Sequence, residues 1–264
     1  MSSERMHLMS QGIVQLFENK RGSYGVIVRN RLGETVFDYN SSDWFPLASA
    51  GKVALATLVA WAVADHDLSW SLELDSVALD PEEDSATLYP HLQGMQKLPL
   101  RNVVEIMIAC HDKNCADAVA NLLGGWTHVE SLVTRRFPGV RVNRDPRNQE
   151  ENTGQLRSIL DVIQGVISGY LATPNVFEPV VAGLVRMVDK TDGIPFHEQW
   201  NMTGGLPTSL INTGVLGDPM SERYLLYAIA GRDVANRYET RESDELISSV
   251  LNMLYGTFGI SHPT

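Results

Sequence analysis

Strand-type patterns stand at both ends of this chain, and helical patterns fill its middle. Five short runs alternate apolar and polar residues and are bounded by turn residues, as half-buried strands require. These runs are residues 23–28, 35–39, 197–203, 209–216 and 223–230. The first two are separated only by a turn at residues 30–33. They therefore predict a β-hairpin.

Helical periodicity dominates from residue 48 to about residue 187 and returns at the two termini. The internal helical segments are residues 50–64, 100–110, 115–123, 128–133, 156–170 and 176–187. Amphipathic patterns at residues 10–19 and 242–255 predict an opening and a closing helix. Residues 68–98 have no clear period, and we expect an ordered connection there.

This order predicts an α+β fold. Strands from both ends of the chain complete one antiparallel sheet of about five strands, with the terminal helices beside it and an all-helical domain inserted between them. We assign residues 1–42 and 190–264 to the sheet domain and residues 43–189 to the helical domain. A chain of 264 residues is long enough to bury a substantial core in this arrangement.

The charge of the chain restricts its partners. A formal net charge of −11 repels nucleic acid and anionic membrane surfaces, so neither is an expected partner. The apolar run at residues 53–64 is too short to span a bilayer and predicts a buried helix. Residues 1–10 are polar and mixed and do not resemble a signal peptide, which predicts a cytoplasmic protein. The sequence leaves the oligomeric state open.

The two cysteines, Cys110 and Cys115, are five residues apart in a predicted helical region. This spacing places them on different faces, which disfavours a disulfide. Two cysteines without a paired histidine spacing do not predict a zinc site. We therefore expect small buried side chains, and we expect no metal and no cofactor.

A serine stands three residues before a lysine at one place, Ser49-Ala50-Gly51-Lys52, directly before the apolar run. Residues three apart on a helix lie on one face, so the Lys52 amine can reach the Ser49 hydroxyl. Apolar surroundings lower the pKa of a lysine, as a proton acceptor near neutral pH requires. The alternative interpretation is a capping serine followed by a surface lysine, and other segments must decide.

Two further segments carry a family resemblance. Residues 104–117 form an apolar helical pattern that ends in Cys110-His111-Asp112-Lys113, and the next helical pattern closes in Gly124-Gly125. This is similar to class A β-lactamases and penicillin-binding proteins, in which the helix ends in Ser-Asp-Asn. Residues 43–49 resemble that family's approach to its nucleophile. Residues 200–207 stand where the family has Lys-Thr-Gly on an inner strand, and together the three regions resemble a divergent member.

The departures from the family pattern are as informative as the matches. His111 replaces the motif serine, Lys113 replaces the asparagine, and Met202 replaces the third-motif lysine, which in the family contributes positive charge toward a substrate carboxylate. The stretch Asp189-Lys190-Thr191-Asp192-Gly193 also contains Lys-Thr, but it precedes a turn and has no strand pattern. We therefore place the third motif at residues 202–204.

The family also carries a loop glutamate that activates water for deacylation. The corresponding stretch, residues 141–153, is short. It contains Glu150 and Glu151, but neither has the family's Glu-x-x-x-Asn spacing. Without such a glutamate an acyl-enzyme forms faster than it is hydrolysed.

The resemblance implies a serine acyl-transfer hydrolase that acts on a small-molecule lactam, amide or ester. Lys52 accepts the Ser49 proton, Ser49 attacks the carbonyl, and the amides of Ser49 and Gly205 hold the oxyanion beside Gly204. His111 protonates the leaving group, because imidazole exchanges protons near neutral pH.

Substrate contacts are expected from Lys113 and Thr203, which would meet an acidic or polar group. Asp112 is expected to organise the loop without touching substrate. The alternative is a catalytically impaired member of the same fold that binds a penicillin-like, peptidoglycan-like or regulatory ligand. A purely structural interaction protein would require side chains to fill the cleft.

Overall fold

The computed structural model of the chain describes residues 3–142 and 152–258. The α-helices are α1 Ser3–Phe17, α2 Lys52–Ala64, α3 Ser85–Leu88, α4 Leu100–Ala109, α5 Lys113–Leu122, α6 Trp126–Arg136, α7 Leu156–Ala172, α8 Pro174–Arg186 and α9 Glu242–Thr257. The strands are β1 Ser23–Asn30, β2 Thr35–Tyr39, β3 Trp44–Pro46, β4 Glu73–Asp75, β5 Lys97–Pro99, β6 Val140–Arg141, β7 Thr153–Gln155, β8 Gln199–Leu206, β9 Ser209–Asp218 and β10 Arg223–Arg232.

The central sheet has the strand order β2-β1-β10-β9-β8, and all of its pairs are antiparallel. The N-terminal hairpin and the three C-terminal strands thus share one sheet, because β1 pairs with β10 along its whole length. This confirms the predicted fold class. The division of the chain into domains at residues 42 and 189 stays a prediction.

Both faces of the sheet are buried, and its side chains alternate between two cores as a strand period of two requires. Val26 and Val28 belong to a core shared with α1 and α9, whereas Ile27 belongs to a second core that includes the internal helices. Helix α7 contacts β1, β9 and β10 on that second face. The sheet therefore has helices on both sides.

Helix α2 is the centre of the helical part. It contacts α4, α5, α6, α7 and α8, and its residues from Lys52 to Ala60 are buried. A helix that is surrounded on all sides has no need of a polar face, which explains the uninterrupted apolar run. Among the described helices, none is both long and apolar enough to cross a lipid bilayer.

Two small sheets were not predicted. Strand β7 pairs with both β3 and β6, and β4 pairs with β5. Each of these strands has two or three residues, too few to show a period of two. The connection at residues 68–98 is ordered as expected and contains β4, α3 and the start of β5.

Candidate active site

The start of α2 brings Ser49 and Lys52 together. Ser49 lies in a 3-10 helix, Ala48–Gly51, that leads directly into α2. Lys52 Nζ is 2.8 Å from Ser49 Oγ and 2.6 Å from the carbonyl oxygen of His111. Lys52 is only 7% exposed. The predicted contact between the amine and the hydroxyl is present, and we call residues 48–52 the nucleophile wall.

Asn152 fixes the chain that approaches Ser49. Its carbonyl oxygen accepts a hydrogen bond from the Leu47 amide at 2.7 Å, and its side-chain amide donates to the Ala48 carbonyl oxygen at 2.7 Å. Ala48 has a φ of +44°, a conformation that costs free energy for a residue with a Cβ. The two bonds hold the backbone in that conformation and so set the position of Ser49.

Strand β8 has two glycines at the site, Gly204 against the nucleophile wall and Gly205 against an arginine. A Cβ on Gly204 would overlap with the Leu47 carbonyl oxygen and would lie 3.1 Å from the Ala50 nitrogen. A Cβ on Gly205 would overlap with the Arg237 guanidinium, which therefore lies directly over this residue. The strand can approach the Ser49 turn this closely because Gly204 lacks a side chain, and the guanidinium fits over the strand because Gly205 does.

Met202 has 0% exposure and belongs to the core on the helical side of the sheet. It supplies no charge to the site. The segment from Asp189 to Gly193 lies outside the strands, in the connection between α8 and β8, whereas residues 202–204 lie within β8. The position of the third motif at residues 202–204 stays a prediction, and these residues do lie on a strand.

His111 faces β8 from the end of α4. Its φ is +58°, and its Nε2 lies 3.2 Å from Thr203 Oγ1. Its buried Nδ1 has no hydrogen-bond partner among residues 3–142 and 152–258. The imidazole therefore presents Nε2 to the cleft.

Asp189 completes this side of the site. Thr203 Oγ1 donates to Asp189 Oδ2 at 2.9 Å, and His111 Nε2 lies 3.6 Å from the same oxygen. The His111 ring is the largest cause that lowers the pKa of Asp189, and Thr203 and Arg237 act in the same direction against the effect of burial. The group is therefore a carboxylate at neutral pH. We call His111, Thr203 and Asp189 the polar wall.

Asp112 is fully buried, and two backbone amides donate to its carboxylate. Its Oδ1 accepts from the Cys115 amide at the start of α5, and its Oδ2 accepts from the Asp80 amide. The side chain thereby ties the connection near residue 80 to α5.

Lys113 is not brought together with the other predicted site residues. Its Nζ lies 2.9 Å from Asp80 Oδ2, a carboxylate whose side chain is only 3% exposed. A buried carboxylate needs a counter-charge, and this directs the lysine away from the cleft. The prediction that Lys113 meets a substrate group receives no support from this position.

The two walls and β8 enclose a cleft of about 430 Å³. Its polar lining includes Ser49, Glu83, His111, Asp189, Lys190, Thr203, Asn212, Arg237, Arg241, Asp244 and Ser248. Five residues predicted from the sequence line this cleft: Ser49, His111, Thr203, Gly204 and Gly205. Asp189 and Arg237 also line it and were not among the predicted site residues. Glu150 and Glu151 lie outside the described residues.

No group of three metal-ligating side chains occurs in the described part of the chain. Cys110 and Cys115 are buried, as expected. Burial raises the pKa of Cys110 to about 12 and also raises the pKa of Cys115. Both are therefore thiols at neutral pH and poor metal ligands.

Solved structures share this architecture. A β-lactamase from Chitinophaga pinensis superposes with a TM-score of 0.79 at 19% identity, covering 94% of this chain and 98% of its own. A β-lactamase from Sphaerobacter thermophilus gives 0.76 at 17% identity and covers 100% of both chains. The class A β-lactamase of the last common ancestor of Gram-negative bacteria gives 0.76 at 18% identity, covering 95% and 99%. The fold is thus that of the class A serine β-lactamases.

A comparison of the sequence with protein families identifies the family of the chain. The family model described as the β-lactamase enzyme family matches residues 9–258, nearly the whole chain. No protein of curated function matches it in a sequence comparison. The chain belongs to the β-lactamase enzyme family.

Proposed function

We propose that the protein is a serine acyl-transfer hydrolase that acts on a lactam, amide or ester through an acyl group on Ser49. The 2.8 Å separation of Lys52 Nζ from Ser49 Oγ carries this proposal. An amine at that distance accepts the hydroxyl proton when it is neutral. Family membership supports the same reaction class.

In the proposed reaction Ser49 Oγ forms a bond to the carbonyl carbon while its proton passes to Lys52. The bond from that carbon to the leaving group breaks, and His111 Nε2 gives a proton to the leaving atom. The amides of Ser49 and Gly205 stabilise the oxyanion. Water then attacks the acyl carbon and gives a proton to His111, while the bond from that carbon to Ser49 Oγ breaks and Lys52 returns its proton to this oxygen.

The remaining residues of the site have supporting roles in this proposal. Gly204 provides the space that keeps β8 against the nucleophile wall, and Thr203 contacts the substrate at the polar wall. Asp112 keeps the connection near residue 80 on α5 through its two backbone bonds and does not touch substrate.

A catalytically impaired, ligand-binding member of the family is the second candidate. Met202 favours it, because a buried methionine stands where the family's third motif has a lysine. In this case the cleft binds its ligand without forming a bond to Ser49.

A neutral fluorophosphonate that reacts with activated serines separates the two candidates. We expect one adduct per chain on the wild type by intact-protein mass spectrometry, and none on Ser49→Ala. Ser248→Ala is the matched control, because Ser248 also lines the cleft, and it should still be labelled. If folded wild type gives no adduct at saturating probe, acyl transfer is wrong and the binding function stands.

A further inference from the structure

The polar wall carries a carboxylate next to the residue that by family resemblance would meet a substrate carboxylate. We propose that Asp189 makes this part of the cleft selective for a cationic group, such as an ammonium, on the leaving-group side of the substrate. This inference rests on the proposed function and names its substrate class.

The Thr203 hydroxyl is already engaged by the protein. A hydroxyl has one hydrogen to donate, and Thr203 donates it to Asp189 Oδ2 at 2.9 Å. Its lone pairs face His111 Nε2 at 3.2 Å. To bind a substrate carboxylate, Thr203 would have to release Asp189, and the two carboxylates would then repel each other.

Arg237, whose charge lowers the pKa of Asp189, is held by another group. Arg237 makes a two-pronged contact with Asp244, at 3.0 Å and 2.5 Å. Arg241 lines the cleft from the start of α9. Met202, in the position of the family lysine, is apolar and buried.

Lys190 is tied to the protein as well. Its Nζ donates to the carbonyl oxygens of Leu184 at 3.0 Å and Gln199 at 2.5 Å, and to Asn201 Oδ1 at 2.8 Å. These three bonds use all of the donors of an ammonium. Burial also lowers the pKa of Lys190 to about 7, so its charge is only partial at neutral pH.

Asp189 remains accessible to a ligand. Its side chain is 62% exposed, and a carboxylate has lone pairs beyond those used by Thr203. His111 lies 3.6 Å from Asp189, so a group bound by Asp189 would sit beside the proposed proton donor and thus beside the leaving atom.

Three phenyl acetates test this assignment. They carry a trimethylammonium, a tert-butyl or a carboxylate group at the meta position of the leaving phenol, and the first two have nearly the same shape. Phenol release gives kcat/KM for each ester, and each value is divided by that of the tert-butyl ester. If a substitution slows the chemical step of all three esters equally, the ratios do not change. The esters also differ in intrinsic reactivity, but this difference is the same for wild type and variant and drops out when their ratios are compared.

In Asp189→Asn we expect the kcat/KM ratio of the trimethylammonium ester to fall about fivefold and that of the carboxylate ester to rise about fivefold. This size corresponds to the upper range of free energy for partly exposed ion pairs. Both effects should shrink with added salt, which screens exposed charges. Asp189→Glu should keep the preference. Asp192→Asn is the matched control for net charge, because Asp192 is exposed nearby and does not line the cleft; its ratios should equal those of the wild type.

Unchanged ratios in Asp189→Asn, or equal changes in Asp192→Asn, would overturn the inference. An equal loss for all three esters would do so too, because Asp189 would then act through His111. Esters that show no Ser49-dependent release would instead overturn the proposed function. In that event, calorimetry with phenyltrimethylammonium and benzoate on Ser49→Ala decides the charge preference, which must weaken when Asp189→Asn is added.

Discussion

The two walls of the cleft differ in how the chain builds them. The nucleophile wall is local: Ser49 and Lys52 are three residues apart, and one helical turn brings them into contact. The polar wall joins His111, Asp189 and Thr203, which come from three distant parts of the chain. The local wall keeps the family's motif, whereas the long-range wall departs from it. In the proposed function the nucleophile and its base therefore lie on the local wall, whereas the proton donor and the group that selects the substrate lie on the long-range wall.

The largest expected effect lies at the nucleophile wall. Ser49→Ala and Lys52→Met should each lower kcat for an ester by about 10⁴-fold or more, because nucleophile and base act as one unit. The double variant should be no worse than either single variant. Single-turnover phenol release measures this, and a double loss equal to the product of the single losses would show that the pair does not act as a unit.

The polar wall should show an effect that depends on the leaving group. His111→Asn keeps a residue that tolerates a positive φ and removes the proton donor. We expect kcat to fall by about 10²- to 10⁴-fold for esters of weakly acidic alcohols, and much less for 4-nitrophenyl esters, whose leaving group needs no proton.

His91→Asn is the control, because His91 is exposed and does not line the cleft; it should leave both rates unchanged. A loss of equal size for both kinds of ester would contradict a proton-donor role for His111.

The contact between the walls can be tested at Gly204. An added Cβ would overlap with the Leu47 carbonyl oxygen, so Gly204→Ala should lower the free energy of unfolding by about 1–3 kcal/mol and reduce turnover as β8 moves from Ser49. Gly165→Ala has no atom within 4 Å of the added Cβ and lies in α7, so it should stabilise by about 0.5–1 kcal/mol. Urea titrations measure both, and a neutral Gly204→Ala would mean that the strand does not need this close approach.

The smallest effect is expected outside both walls. Lys113→Gln should change kcat/KM by no more than about a factor of two, since its ammonium pairs with Asp80 and its side chain does not line the cleft. Steady-state kinetics on the neutral and the carboxylate ester measure this. A large rise in KM for the carboxylate ester alone would restore the prediction that Lys113 binds substrate.

The sequence predicted the features that depend on short-range patterns. The strands of the central sheet and the longer helices have enough residues to show a period. Helix α9, for example, buries Leu246, Val250 and Leu254, as the spacing of its apolar residues predicted. The contact between Ser49 and Lys52 follows from one helical turn.

The sequence could not show contacts that depend on where distant segments meet. Asp189 belongs to a stretch without a strand pattern, so nothing marked it as a neighbour of His111. Arg237, in the connection between β10 and α9, reaches the cleft only because Gly205 on β8 leaves room for it. Lys113 stands at a motif position, but Asp80, from a connection without periodicity, determines its direction.

Lys52 contacts residue 111 through its backbone carbonyl oxygen and not through its imidazole. A substitution at residue 111 can therefore change the side chain while the Lys52 amine keeps the carbonyl oxygen as its partner. The new residue must also adopt the φ of +58° found at this position. Glycine, asparagine and aspartate adopt such a positive φ most readily, whereas β-branched residues do not. In the proposed mechanism, the proton donor at residue 111 can thus be replaced by only a few types of amino acid.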